Sequence, residues 1–340
     1  MTPSDLFAKL PDQDRDRLRP DTAPAWVAPM LATLTDRRFS NHGWLFERKL
    51  DGERCLAFRN GSDVRLFSRA RQRLDGTYPE IVDAIGRQKE TDFVVDGEIV
   101  AFEGDRTSFE LLQQRLGIAD PEKARRSPVQ VFFYLFDIPH LAGQDTTAIG
   151  LRSRKELLHE AISFSDPLRY TSHRSSGGEA YLKEACAKRW EGLIAKRGDS
   201  PYVGRRSPDW LKFKCSWNQE LVVGGFTDPT GSRLGLGALL LGYYEGGELK
   251  FAGKVGTGFS ESVLRDLRRR LDGLEVAESP FQGTRITERK VHWVRPELVC
   301  EVAFSEWTRD GKLRHPRFEG LRFDKSPTEV VRERPQAARG

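Results

Sequence analysis

The sequence predicts an α+β domain over residues 1–216, followed by an all-β barrel of the OB type over residues 217–340. Three observations carry this expectation. At 340 residues the chain is long enough for about two domains. Strand-like and helix-like segments interleave as far as Lys214. After Trp217 short apolar strands dominate, broken by one basic helix, which is the order of a small Greek-key barrel.

The elements follow in turn. The first thirty or so residues are polar and rich in Asp and Pro, and read as an ordered strap or a loose arm. Trp44–Leu50 is a strand closed by Asp51-Gly52, a strong turn dipeptide. Cys55–Phe58 and Val64–Ser68 continue the strand pattern, and Pro79 opens a helix through Ile85. Phe93–Phe102 is again strand-like. Ser108 is placed to cap a helix through Leu116, stopped by Gly117. Val129–Ile138 is almost wholly apolar, as a buried central strand would be. Helices over Arg152–Ile162 and Gly178–Arg189 precede strands at Gly192–Arg197 and Trp210–Lys214. In the second domain, strands are expected at Leu221–Phe226, Ala238–Tyr244, Leu249–Val255 and Leu298–Phe304, with a basic helix at Ser260–Leu271.

Composition excludes several classes. With 38% hydrophobic residues, 20 Phe and 7 Trp, the chain has the makings of a packed core. No apolar run is long enough to cross a membrane, and Met1-Thr2-Pro3-Ser4-Asp5 carries no secretory signal. The net charge of +5 permits a polyanionic partner. Cys55, Cys186, Cys215 and Cys300 are scattered, so isolated reduced thiols and a cytoplasmic protein are expected, without a zinc ribbon or a disulfide framework. The six histidines show no metal-ligand spacing.

The richest stretch is Glu47-Arg48-Lys49-Leu50-Asp51-Gly52-Glu53-Arg54. A lysine between an apolar strand and an Asp-Gly turn sits at a pocket rim. Arg48 and Arg54 beside it would lower its pKa and favour the free amine, a nucleophile able to attack phosphorus. The octapeptide reads equally well as an ordinary hairpin with a solvated lysine. Other groups carry the same two readings. Glu98 and Glu191 are hard oxygen donors suited to Mg²⁺ or solvated carboxylates at strand edges. Phe136 either stacks on a base or fills the core. Lys212 and Lys214 share one face of a strand, as phosphate ligands or as edge lysines. Arg265, Arg268, Arg269 and Arg270 form a basic helix face, set among Glu261 and Asp266.

The order of these pieces resembles the covalent nucleotidyltransferases: ATP-dependent DNA ligases, RNA ligases and mRNA capping enzymes. Lys49-Leu50-Asp51-Gly52 resembles their K-x-D-G motif, with Arg54 two residues on. Ser68-Arg69, Asp96-Gly97-Glu98, Tyr134-Leu135-Phe136-Asp137, Glu191-Gly192-Leu193-Ile194-Ala195-Lys196 and Trp210-Leu211-Lys212-Phe213-Lys214 resemble the motifs that follow. Pro316-Arg317-Phe318 with Arg322-Phe323-Asp324-Lys325 resembles the last, R-x-D-K. Pro29-Met30-Leu31-Ala32, Gly253–Phe259 and Leu313-Arg314-His315-Pro316 are similar to the ligase module of bacterial end-joining DNA ligases.

The resemblance implies a nucleotidyltransferase (ligase adenylation) domain followed by the OB fold, and a stand-alone ATP-dependent DNA ligase with no room for polymerase or nuclease modules. It would seal 3′-OH/5′-phosphate nicks through a lysyl-AMP intermediate in DNA repair. Lys49 would be the nucleophile. Glu47, Arg54, Arg69, Glu98, Phe136, Arg206, Lys212, Lys214, Arg322 and Lys325 would bind the nucleotide, and Glu98 and Glu191 the metal. ATP with Mg²⁺ or Mn²⁺ is the implied cofactor set. Nicked duplex DNA is the implied partner of a monomer, with Ku or a separate polymerase or primase as further candidates. An RNA ligase, a GTP-dependent capping-type enzyme and a non-catalytic OB protein that binds nucleic acid are the alternatives. The R-x-D-K tail favours DNA ligase, and the intact set of Lys49, Glu98, Glu191, Lys212 and Lys214 argues against a relic.

Overall fold

A computed structural model describes residues 3–215, 217–229, 235–284, 286–308, 310–323 and 325–333. The chain forms two compact units, Met1–Cys215 and Ser216–Glu333. Strands of three or more residues are numbered here. The first unit runs α1 (Pro3–Ala8), α2 (Asp12–Arg15), β1 (Leu31–Leu34), β2 (Trp44–Lys49), β3 (Glu53–Asn60), β4 (Asp63–Ser68) and α3 (Pro79–Gly86). It continues through β5 (Asp92–Glu103), α4 (Phe109–Gln113), α5 (Pro121–Arg125), β6 (Val131–Leu141), α6 (Leu151–Ala161), β7 (Leu168–Tyr170), α7 (Gly178–Ala187), β8 (Gly192–Arg197) and β9 (Arg206–Lys214).

These strands make two sheets. In the larger, β4, β3, β5 and β6 pair antiparallel in that order, and β7 joins β6 in parallel. Side chains alternate across β6. Phe133 and Leu135 enter the main core with Ile81 of α3 and Leu157 of α6, while Phe132, Tyr134 and Phe136 lie outside that core. In the smaller sheet the order is His173–Arg174, β2, β8, β9, β1. Phe46, Leu193, Ala195, Leu211 and Phe213 pack with Tyr181 and Ala185 of α7. The period of two therefore puts Glu47, Lys49, Ile194, Lys196, Lys212 and Lys214 on the opposite face. That face meets Phe136 of the larger sheet: the Lys196 Nζ lies 4.0 Å from the Phe136 ring centre, and Trp210 packs edge-on to the same ring.

The amino-terminal segment is an ordered strap. Leu6 and Leu10 are buried in the main core, and Asp14 accepts hydrogen bonds from the Ser153 hydroxyl (2.6 Å) and the Gly150 N–H (3.2 Å). The helix after Ser108 is shorter than its pattern predicts and ends at Gln113, although Ser108 caps it through the Leu111 N–H. One expectation is overturned. The cysteines are not all isolated thiols, because Cys186 and Cys215 form a disulfide, while Cys55 and Cys300 are buried and free. The pair is 29 residues apart, so no local spacing marks it. The sheet brings it together, because the Cys215 N–H donates to the Glu191 carbonyl at the mouth of β8. No helix among the described residues is long and apolar enough to cross a membrane.

The second unit contains β10 (Trp217–Thr227), β11 (Leu239–Glu245), β12 (Glu248–Val255), α8 (Glu261–Asp272), β13 (Val291–Phe304) and β14 (Arg317–Leu321). They form a curled antiparallel sheet in the order β12, β11, β10, β13, with β14 on β13. This is the OB-type barrel that the strand and helix order predicts. Ser260 caps α8, whose Leu264, Leu267 and Leu271 plug the core at helical spacing. Its basic face is largely neutralised within the helix, since Arg268 pairs with Asp272 and Arg270 with Asp266.

Candidate active site

The site forms where the two sheets face each other in the first unit. Lys49 ends β2, and the Asp51-Gly52 turn carries the chain across to β3. The turn lies so close to β5 that a Cβ on Gly52 would come within 2.1 Å of the Ile99 carbonyl oxygen, which explains the glycine of the K-x-D-G motif. In the antiparallel register Lys49 stands opposite Gly192, and Gly192 opposite Lys214; one step along, Glu47, Ile194 and Lys212 form a second row. Gly192 has φ +146°, and a Cβ there would meet the Phe213 carbonyl oxygen at 1.9 Å. The neighbouring Glu191 is thereby delivered to Lys49, and the two side chains form an ion pair. Burial alone would raise the Glu191 pKa, but the charges of Lys49 and Lys214 outweigh it and hold the carboxylate below its ordinary range.

This geometry corrects the expected setting of Lys49. Arg48 and Arg54 do not flank its amine. Strand alternation turns Arg48 to the other side of β2, where it lies over Trp190. Arg54 makes a two-pronged pair with the fully buried Asp96 (2.5 and 2.6 Å), which also accepts from the Tyr202 hydroxyl (2.6 Å). Glu98 sits opposite Arg54 on one side and Tyr134 on the other, half-buried on the face of β5 that carries Val100.

Glu47 is almost fully buried between two ammonium groups, Lys155 at 2.5 Å and Lys196 at 2.6 Å. Burial pushes its pKa up, and these two charges reverse the shift and bring it below the ordinary value. Burial in turn lowers Lys196 to about 8. Lys196 closes the E-G-h-h-h-K stretch, which assigns it no role, and Lys155 lies in α6 with no motif around it. Phe136 is 7% exposed among Met30, Tyr202 and Trp210, with Arg54 and Lys196 over its ring. Arg69 follows the end of β4, and Arg206 at the start of β9 donates to the Ala32 carbonyl. Arg322 and Lys325 belong to the second unit. There Arg322 is buried on Glu301 (2.8 Å), and Lys325 is 3.4 Å from Glu220. Asp324 lies outside the described residues.

The donor set suits a magnesium ion that is held partly by substrate. Mg²⁺ takes one or two carboxylates together with phosphate oxygens and waters. Glu98, in the middle of β5, and Glu191, directly before β8, are the carboxylates whose chemistry fits that demand. No group of three or more candidate ligands occurs among the described residues, so a site built wholly from protein is not indicated there.

Residues 29–214 match the family described as "ATP dependent DNA ligase domain", which is more than half of the chain. The chain belongs to the ATP-dependent DNA ligases. Residues 232–325 match the "ATP dependent DNA ligase C terminal region". The ligase is 37% identical over 320 residues to the multifunctional non-homologous end joining protein LigD of Pseudomonas aeruginosa, covering 92% of this chain and 37% of the relative. For the LigD of Mycolicibacterium smegmatis the identity is 38% over 328 residues, covering 94% of this chain and 41% of the relative. The ligase thus spans about two fifths of the length of these curated relatives. A solved structure, "mycobacterial DNA ligase D complexed with ATP and MES", aligns with a TM-score of 0.63 and 35% identity, covering 90% of this chain and 98% of that one. The ordered motifs and the two-part fold implied this family. The comparisons also support ATP as the nucleotide in preference to GTP or NAD.

Proposed function

We propose that this chain seals 3′-OH/5′-phosphate nicks in duplex DNA during end-joining repair, in three phosphoryl-transfer steps. The Lys49 amine attacks the α-phosphorus of ATP, loses a proton, displaces pyrophosphate and keeps AMP as a phosphoramidate. A 5′-phosphate oxygen of the nick then attacks that phosphorus and releases the lysine. Finally the 3′-hydroxyl attacks the activated 5′-phosphate and displaces AMP. Covalent storage splits one difficult reaction into easier ones, and the rest of catalysis is positioning and charge neutralisation.

The observation that carries this reading is the row Lys49–Gly192–Lys214 with Glu191 on the nucleophile. With Lys212 of the next row it gathers one amine for attack, one carboxylate, and two further lysines on the face where a triphosphate would lie. Glu47, locked between Lys155 and Lys196, would contact the base or ribose, and Phe136 would form an adjacent wall. Bound Mg²⁺, or Mn²⁺ in its place, would supply charge neutralisation at the phosphates, with Glu98 and Glu191 as its protein ligands. Arg69 and Arg206 would contact phosphate or ribose. Arg322 and Lys325 would serve the first step. The protein would work as a monomer, with Ku or a separate polymerase as further partners.

The test uses Mg²⁺ and α-labelled ATP, GTP or NAD, followed by nicked DNA or RNA. We expect covalent label from ATP alone, chased onto nicked DNA. Lys49→Ala should take no label while keeping its thermal melt. Label persisting in that variant would remove Lys49 from its role, and transfer to RNA alone would change the acceptor.

A further inference from the structure

Helix α6 carries no motif, yet it buries three polar residues in a row. Ser153, Arg154 and Lys155 are 4%, 0% and 1% exposed. At 3.6 residues per turn, three successive side chains cannot share one face, so a helix packed by an apolar stripe alone would leave at least one of them in water. Each is held by a different part of the first unit. The Ser153 hydroxyl donates to Asp14 of the amino-terminal strap at 2.6 Å. Arg154 donates to both carboxylate oxygens of Asp137, at 2.7 and 3.1 Å, directly after Phe136 in β6, and also to the carbonyls of Ile149 and Ser200. The Lys155 Nζ donates to Glu47 Oε1 in β2 at 2.5 Å and to the Thr171 carbonyl at 3.0 Å. The helix thus braces the larger sheet beside Phe136 and the smaller sheet at Glu47, two residues before Lys49.

Neutralising Glu47 does not require Lys155. Lys196 lies 2.6 Å from the other carboxylate oxygen and balances its charge alone. With Lys155 present, two buried ammonium groups face one buried carboxylate. A buried charge costs free energy that pairing returns only in part, and apolar side chains of similar volume in place of such a cluster are often as stable or more so. Stability is therefore a poor account of Lys155, and geometry is a better one. One ammonium on each oxygen fixes the plane of the carboxylate, where Lys196 alone would leave it free to turn. A carboxylate held in this way still has lone pairs to accept an N–H, and it has no hydrogen to donate. It accepts an amino group and rejects a carbonyl oxygen at the same place, because two acceptors that face each other in a buried site are both left unpaired.

We propose that Lys155 is a positioning residue for nucleobase choice: by holding Oε1 of Glu47 it aims that carboxylate to accept from the exocyclic amine of an adenine and to reject a 6-oxopurine. The proposal rests on the ligase reading, in which Glu47 contacts the base or ribose. It adds a residue outside every motif and the class of nucleotide that this residue helps to exclude. The probe is inosine triphosphate, which carries a carbonyl where ATP carries the exocyclic amine. Wild type, Lys155→Met, Glu47→Gln and the double variant are compared. The readouts are the maximal rate of covalent self-labelling by each nucleotide, the half-saturating nucleotide concentration, and the thermal melt.

We expect wild type to prefer ATP to inosine triphosphate by at least about a hundredfold in the ratio of maximal rate to half-saturating concentration. Lys155→Met should shrink that preference about tenfold or more, through a higher half-saturating concentration for ATP, with the maximal rate within about threefold of wild type. In the Glu47→Gln background, Lys155→Met should change the preference by less than about twofold, since Lys155 acts only through that carboxylate. An equal loss with both nucleotides, leaving the preference intact, would make Lys155 a structural residue and overturn the proposal. So would a further loss of preference in the double variant, or a wild type that takes both nucleotides alike. If Lys155→Met has no cooperative melt, Lys155→Gln, which keeps N–H donors without the charge, carries the same comparison. A wild type that takes no label from either nucleotide would instead defeat the ligase reading on which the proposal stands.

Discussion

At the residue scale Glu191 pairs with the Lys49 amine, and in the proposed function it would also meet the metal–phosphate charge of the substrate. Glu191→Gln keeps the shape and removes the charge. We expect its single-turnover adenylation rate to fall by at least about a hundredfold, the scale of losing one electrostatic group at a reacting centre, with little change in ATP affinity. A normal rate would make Glu191 a structural residue. Lys196 offers a pH test. Its folded pKa is about 8, against an ordinary 10.5. Between these values the unfolded chain binds more protons than the native one, so this group's contribution to stability rises with pH across that window and is least favourable below it. The unfolding free energy of wild type minus that of Lys196→Met should therefore climb from pH 8 to pH 10.5. A flat difference in urea titrations over that range would contradict the buried Glu47–Lys196 account.

At the scale of elements, β8 holds the site together by lying between β2 and β9, with Glu191 at its mouth. Gly192→Ala tests this. With φ +146° and a Cβ 1.9 Å from a carbonyl oxygen, the strand must shift away from β9. We expect the thermal melt to fall by several degrees, corresponding to about 2 kcal/mol or more, and adenylation to fall with it. Unchanged melting and activity would show that the β8–β9 spacing tolerates a side chain. This scale also shows what the sequence could and could not reveal. Period-two alternation exposes Lys212 and Lys214 as residues of one face, and the motif resemblance marks Lys49, Glu98 and Glu191. The partners of those residues are invisible locally. Lys155 reaches Glu47 from a helix 108 residues away, and Arg54 reaches Asp96 from 42 residues away. A lysine in an amphipathic helix and an aspartate in an apolar strand carry no signal of such a pairing; the first arises where α6 reaches β2, and the second from the pairing of β3 with β5. Arg48 and Arg54 show the same limit, since adjacency to Lys49 in sequence becomes a place over Trp190 for one and a pair with Asp96 for the other.

At the scale of the whole molecule, the chain combines an adenylation fold, legible from the order of its motifs, with an OB fold, legible from the order of its strands and helix. The Cys186–Cys215 disulfide was not legible. It ties α7 to the end of β9 across 29 residues, in a chain whose scattered cysteines suggested reduced thiols. A loop of that length stabilises by about 3.6 kcal/mol when closed. Reduction should lower the unfolding free energy of the first unit by roughly that amount, measured in denaturant titrations with and without a thiol reductant. An unchanged midpoint would mean that the bond contributes nothing in solution.

The central claim is that Lys49 stores AMP. Its most direct test is intact-mass and peptide-mapping spectrometry of the purified protein after incubation with ATP and Mg²⁺, before and after addition of nicked duplex. The account requires a single adenylyl adduct on the peptide that contains Lys49, lost when nicked DNA is added and absent from Lys49→Ala. An adduct on any other lysine, or none in a folded protein under these conditions, would contradict it.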